Sequence, residues 1–140
     1  MEINKDFMRS TDGGLLLLRL TIGGLMLFHG LHKAIGGVDG IAGMLESMGL
    51  PGFIAYGALL CELVAPIMIV LGVWTRAASA ALALNMVVAI LMAHASTIFA
   101  IDPATGAWAI ELPALYLLGA AVLCLTGGGR YALTRGTVMD

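Results

Sequence analysis

Charge is what this chain has least of. Lysine and arginine number 7 and aspartate and glutamate 9, so charged residues make up 11% of 140, against roughly 25% in a soluble domain. With a formal net charge of −2 there is no cationic field to draw phosphate, and nucleic acid is excluded as a partner. Cysteine is nearly absent. Cys61 and Cys124 are too few for a disulfide framework or a four-thiolate zinc site. They are also too far apart in the membrane for a dithiol exchange centre. What the chain has instead is 60% hydrophobic residues, 19 glycines and 9 methionines, with a mean hydropathy of +0.99. That mixture suits closely packed helices in lipid and identifies a small polytopic membrane protein of one domain, residues 1–140.

About 20 apolar residues cross a bilayer as a helix. Four stretches reach that length, at about 14–34, 53–73, 77–99 and 108–125. Arg19 inside the first run, and the lack of a small-x-small site after it, argue against a cleaved signal peptide. Ser10, Thr11 or Asp12 can cap the first span. Lys5, Arg9, Arg76, Arg130 and Arg135 fall on one side of the spans and only Lys33 flanks the other. The positive-inside rule then puts both termini in the cytoplasm of a plasma (inner) membrane protein. Asp39 to Gly49 reads as a short interfacial helix capped by Asp39, with Ile41, Met44, Leu45 and Met48 along one side. Asp102-Pro103-Ala104-Thr105-Gly106 is a turn, and Trp74-Thr75-Arg76 a tight link. Short links make neighbours antiparallel. The expected fold is all-α, a transmembrane up-down four-helix bundle with a short interfacial helix between spans one and two.

Ionisable residues inside a membrane cost about 2.5–3.5 kcal/mol each at the centre, so their positions are informative. Arg19 lies in span one and Glu62 near the middle of span two. Their depths differ by about 9 Å at 1.5 Å per residue, which an arginine side chain can bridge. An Arg19–Glu62 pair is therefore expected. Pro66 removes the hydrogen bond to the carbonyl of Glu62, marking the helix at its buried acid. Arg19, Gly23, Met26, Gly30 and Lys33 share one face of span one. Asn85 and His94, nine residues apart on span three, point in opposite directions, so one of them is expected to meet another subunit.

His29, His94 and Glu111 are expected to form a polar cluster near the outer leaflet together with Lys33. His29 and His94 lie at similar depths on spans that can be diagonal, a placement suited to haem, and His29, Glu62, His94 and Glu111 are ligand types for a metal ion. Neither a Glu-x-x-His nor a His-x-x-x-His spacing accompanies them, so haem and metal are the lesser readings and no metal ligand is assigned.

The run Arg19-x3-Gly23-x4-Phe28-x-Gly30-x2-Lys33 resembles the first-span signature of the DoxX family of small four-helix membrane proteins. Gly49-Leu50-Pro51, Glu62, Leu71-Gly72-Val73-Trp74-Thr75-Arg76 and Glu111 continue the resemblance. It closes with Gly127-Gly128-Gly129-Arg130-Tyr131-Ala132-Leu133, followed by Thr134 where the family pattern has aspartate. The family takes its name from the membrane subunit of a thiosulfate:quinone oxidoreductase. The resemblance implies quinone-linked redox chemistry or oxidative-stress defence, with a partner redox enzyme. On that reading Glu62 with Arg19 handles the proton, and Tyr56 and Trp108 offer faces to a quinone ring beside His29, His94, Glu111 and Lys33. The alternative is a non-catalytic scaffold or assembly chaperone for a partner membrane protein. Glycine- and alanine-rich faces, with the divergent polar residues of span three, predict a homo-oligomer.

Overall fold

The computed structural model describes residues 9–140; Lys5, one of the charges counted above, lies outside them. The first helix, α1, spans Thr11–Gly36. It starts where Ser10, in an extended conformation, accepts the Gly13 N–H on its Oγ at 2.9 Å, leaving Asp12 in the first turn where the helix dipole favours an anion. The helix stops at Gly37, whose φ of 85° suits glycine and whose N–H reaches the Lys33 carbonyl. Its buried residues are Arg19, Ile22, Gly23, Met26 and Gly30, so the face read from the spacing is the inward one.

A nine-residue helix, α2 (Asp39–Ser47), follows. Val38 occupies its cap position without a side-chain bond, and Asp39 sits in the first turn instead. The apolar stripe of α2 is shared out. Leu45 is buried with Val38 and Ala55 in a cluster that Met92 packs against, whereas Met44 and Met48 are exposed. A 3-10 turn over Gly52–Ile54 leads into α3 (Ala55–Leu71), which runs on through Pro66. Gly72, left-handed at φ 76°, ends α3 with its N–H on the Met68 carbonyl. After a three-residue link, residues 72–74, α4 runs Thr75–Ala93.

The third span was expected to reach Phe99, but His94 leaves helical geometry at φ −130° and ψ 12°, and a 3-10 turn occupies Ala95–Thr97. Residues 100–109 form a small hairpin in which Ile101 bridges Trp108, and Asp102 Oδ1 accepts the Ala104 N–H at 2.9 Å. The last helix, α5, covers Glu111–Thr126.

Three stretches, Thr11–Gly36, Gly52–Leu71 and Thr75–Ala93, are long and apolar enough to cross a membrane, and α5 is a shorter apolar helix. The helices pack in a ring, α1 on α3, α3 on α4, α4 on α5 and α5 on α1, so α1 and α4 stand diagonally. Ile22, Met26, Ile69, Leu82, Ala120 and Leu123 meet on the inside. Leu17, Phe28, Leu84 and Leu125 lie mostly bare on the outside, the inverse of a water-soluble bundle. The chain is a multi-pass membrane protein.

Residues 127–140 fold back across the end of the bundle where α1 begins. The Arg130 N–H donates to Asp12 Oδ1 at 2.9 Å, and the Met139 carbonyl accepts the Arg76 and Ala77 N–H groups that open α4. Thr134, where the resembled pattern has an acid, accepts the Trp74 N–H on Oγ1 at 2.8 Å. That bond secures a tryptophan held in the left-handed region at φ 46°.

Candidate functional site

Helix register decides which cation meets Glu62. Gly23 of α1 lies across from Pro66, where a Cβ would come within 2.8 Å of the Pro66 carbonyl oxygen. Gly30 lies across from Glu62, where a Cβ would stand 2.0 Å from the Glu62 carbonyl oxygen. That carbonyl is the one Pro66 deprives of its helical donor, and the bare Cα of Gly30 covers it. Arg19 is therefore level with the last turn of α3, and Glu62 lies about 15 Å further along the bundle axis. Lys33, just beyond Gly30, is the cation within reach.

The expected Arg19–Glu62 pair does not form. Arg19, 1% exposed, spends its guanidinium on backbone carbonyls: Nε on Ile69 at 3.0 Å, Nη2 on Val70 at 2.9 Å and Nη1 on Gly128 at 3.1 Å. The end of a helix carries partial negative charge on unpaired carbonyls, so this is a cation site without an acid. It ties α1 to α3 and to the C-terminal segment.

Lys33 Nζ instead stands 2.5 Å from Glu62 Oε2, and Asn85 Nδ2 donates to Glu62 Oε1 at 3.0 Å. The acid is 4% exposed, whereas the lysine side chain keeps 28% of its surface. Lys33 lies in the last turn of α1, where the helix dipole also favours a cation. A cavity of about 140 Å³ opens beside this pair. Lys33, Glu62, His29, His94 and Tyr116 supply its polar wall, and Met26, Met86, Leu112 and Pro113 most of the remainder. The His29 and Tyr116 rings meet edge to face, with centroids 5.8 Å apart and planes at 85°.

Of the catalytic and cofactor-binding candidates read from the sequence, the fold brings Glu62, Lys33, His29 and His94 to this cavity and places Arg19, Glu111, Tyr56 and Trp108 elsewhere. Glu111 is exposed at the start of α5 and does not line it. Tyr56 is exposed at the start of α3. Trp108 is half exposed and turns its indole N–H to the Ile98 carbonyl, just before the hairpin. Arg19 is at the far end. Among the described residues no three His, Cys, Asp or Glu side chains cluster as a metal site, and the four-ligand set that includes Glu111 is not assembled.

Asn85 and His94 do not diverge as the nine-residue spacing implied. Because α4 ends at Ala93, the helical period cannot be carried to His94, and both residues turn to the same end of the same site. That removes one of the two grounds on which an oligomer was expected. Tyr116 went unnoticed in the sequence. The available signal was a hydroxylated aromatic spaced four and seven residues from Ala120 and Leu123, the face that α5 buries.

The DoxX family model matches residues 14–95, which carry α1 to α4 and so include Lys33, Glu62, Asn85 and His94. A protein of Bacillus subtilis (strain 168) named "Putative oxidoreductase CatD" is 32% identical over 125 residues, covering 89% of this chain and 87% of that protein. No solved structure matches. With more than half of its length matched by the model, and a relative aligned along most of both chains, this membrane protein belongs to the DoxX family.

Proposed function

We propose that the protein is a membrane subunit of a quinone-linked redox system, and that the cavity between α1, α3, α4 and α5 holds the quinone ring. The observation that carries this reading is the Lys33–Glu62–Asn85 chain at the wall of a cavity also faced by two imidazoles and a phenol. Reducing a quinone to a quinol adds two electrons and two protons, so its oxygens need hydrogen-bond donors that can also pass protons. Lys33, His29, His94 and Tyr116 are donors of that kind, and Glu62 holds the Lys33 side chain beside the ring. Mostly apolar walls suit the ring itself. The electrons come from a partner redox enzyme, a role in keeping with the name of the Bacillus subtilis relative. Arg9, Arg76, Arg130 and Arg135 mark the cytoplasmic end of the bundle on this reading, with the cavity towards the opposite leaflet. A homo-oligomer remains part of the proposal through the small-residue faces alone.

A non-catalytic scaffold is the second reading. It is favoured by the fact that Lys33 and Asn85 already meet Glu62 from α1 and α4 and so fix helix register without a ligand. Quinone extraction from protein purified in mild detergent, followed by titration with added quinone, separates the two. The redox reading expects a quinone held in stoichiometric amount and lost in Glu62→Gln with the fold retained. A Glu62→Gln protein that binds quinone as well as the parent, or a parent that binds none, leaves the scaffold.

A further inference from the structure

The four seams of the bundle are not equally closed beside the cavity. Along α1–α3 the helices touch at Gly23 and Gly30, with backbone against backbone. The α3–α4 seam is bridged by Asn85 and Glu62 and lies on the side covered by α2, through Leu45, Ala55 and Met92. Packing between α4 and α5 is extensive. The α1–α5 seam is the sparsest of the four. It is pinned in the half nearer the termini, where a Cβ on Gly119 would fall 2.4 Å from Ile22 Cδ1. Beside the cavity its two sides meet through the edge-to-face contact of His29 and Tyr116.

The surface flanking that contact is divided by polarity. His29 is exposed on the outside of α1 although it also lines the cavity. Leu25, one turn from His29, is 51% exposed, and Leu112 and Leu115, each within a turn of Tyr116, are 55% and 59% exposed. The seam therefore runs from bare leucines on the lipid side to imidazole, phenol and ammonium groups inside. An opening of this composition at bilayer depth admits a molecule already dissolved in the membrane, not one arriving from water.

We infer that the α1–α5 seam at His29 and Tyr116 is a lateral entrance from the bilayer, taking an amphiphile whose oxygen-bearing ring enters the cavity while its apolar chain stays in the seam over Leu25 and Leu115. The inference rests on the quinone reading and adds the route and the need for a chain. His29 and Tyr116 act there as positioning residues. Their edge-to-face contact closes the mouth behind the ring and separates to release it.

The test uses two probes with the same head, 2-methyl-1,4-naphthoquinone and its tetraprenyl form, each titrated into the full protein in lipid nanodiscs. Leu115→Trp fills the seam from α5 and Leu25→Trp from α1; both change lipid-facing side chains, so the core is left alone. The expected result is that either tryptophan weakens the prenylated probe at least tenfold and the chain-free ring less than twofold, while His29→Ala speeds dissociation of the prenylated probe. If the parent binds both probes and the tryptophans weaken neither, or weaken both alike, the lateral entrance is wrong and the quinone site stands. If the parent binds neither probe, the site reading fails and the entrance with it.

Discussion

Replacing Gly30 by alanine puts the α1–α3 packing to a test whose magnitude can be worked out beforehand. The added Cβ would lie 2.0 Å from the Glu62 carbonyl oxygen, 2.6 Å from its carbonyl carbon and 3.0 Å from Leu63 Cα. All three are backbone atoms, so no side chain can rotate away. Restoring a carbon–oxygen separation of about 3.3 Å requires α1 and α3 to part by roughly 1.3 Å. Overpacking of that kind costs about 1–3 kcal/mol. Alanine also returns about 1 kcal/mol of helix propensity, which would obscure the clash if Gly30→Ala were measured alone. Gly24 supplies the correction, because it lies in the same helix with nothing within 4 Å of where its Cβ would be. The propensity gain is common to both variants and cancels in their difference. Gly30→Ala should therefore unfold about 1–3 kcal/mol more easily than Gly24→Ala, and Gly24→Ala should match or exceed the parent. Helical circular dichroism during SDS titration from mixed micelles measures both. Equal stabilities would refute the assigned contact, and with it the register that brings Lys33 to Glu62.

Arg19→Met removes three charge-assisted bonds to carbonyls, and should destabilise the bundle by about 3–5 kcal/mol while raising trypsin cleavage after Arg130 and Arg135; Arg19→Lys should recover part of the loss. Unchanged cleavage would mean that the guanidinium does not hold the C-terminal segment. In the Lys33–Glu62 pair the partners are unequally buried. Lys33→Met strands a buried carboxylate and should cost about 3 kcal/mol, whereas Glu62→Gln leaves a lysine that can reach water and should cost about 1 kcal/mol or less. The reverse order in a double-mutant cycle would contradict the assigned geometry. Outside the spans, the hydrogen bond from Thr134, together with those from Thr137, holds the Asp140 carboxyl below its ordinary value of 3.8. A lowered folded-state value contributes stability above the unfolded value and loses it as pH falls through the folded one. Hydrogen exchange at the Thr137 amide should accelerate below about pH 4 in the parent and show no such step in Asp140→Asn.

The sequence made the bundle legible because lipid imposes a length and a period that few residues can evade. The inward face of α1 followed from Arg19, Gly23, Met26 and Gly30 at helical spacing, and Ser10 proved to be the cap. Partners were harder to read, since they depend on axial register to within one turn. Counting depth from the apparent ends of two apolar runs left Arg19 and Glu62 within reach of each other. The Gly30–Glu62 contact sets the register differently. His94 was misplaced for a related reason. Extending the third span to Phe99 carried a 100° period past the residue at which the helix stops, and nothing apolar in the run marks that stop. Trp108 and Tyr56 were given ring-binding roles by residue type, but each sits outside the cavity that Tyr116 lines.

The two cations of α1 show why charge in a membrane has to be interpreted by partner and not by presence. Both lie on the same helix, and each lies beside the C-terminal turn of a helix or within it. Arg19 is fully buried and bonds only to carbonyl oxygens, groups that cannot exchange a proton at any accessible pH. A planar fork with several fixed donors is suited to that task, and a permanently charged group gains nothing from being titratable. Lys33 keeps part of its surface, faces a cavity and pairs with a group that can itself take up a proton. Exchanging the two residue types should therefore be unequal in effect. Lys33→Arg preserves the charge beside Glu62 but places a group there that does not release a proton, so on the quinone reading ring binding survives while turnover falls. Arg19→Lys supplies one ammonium where three separated carbonyls need donors, so stability falls and the cavity is unchanged.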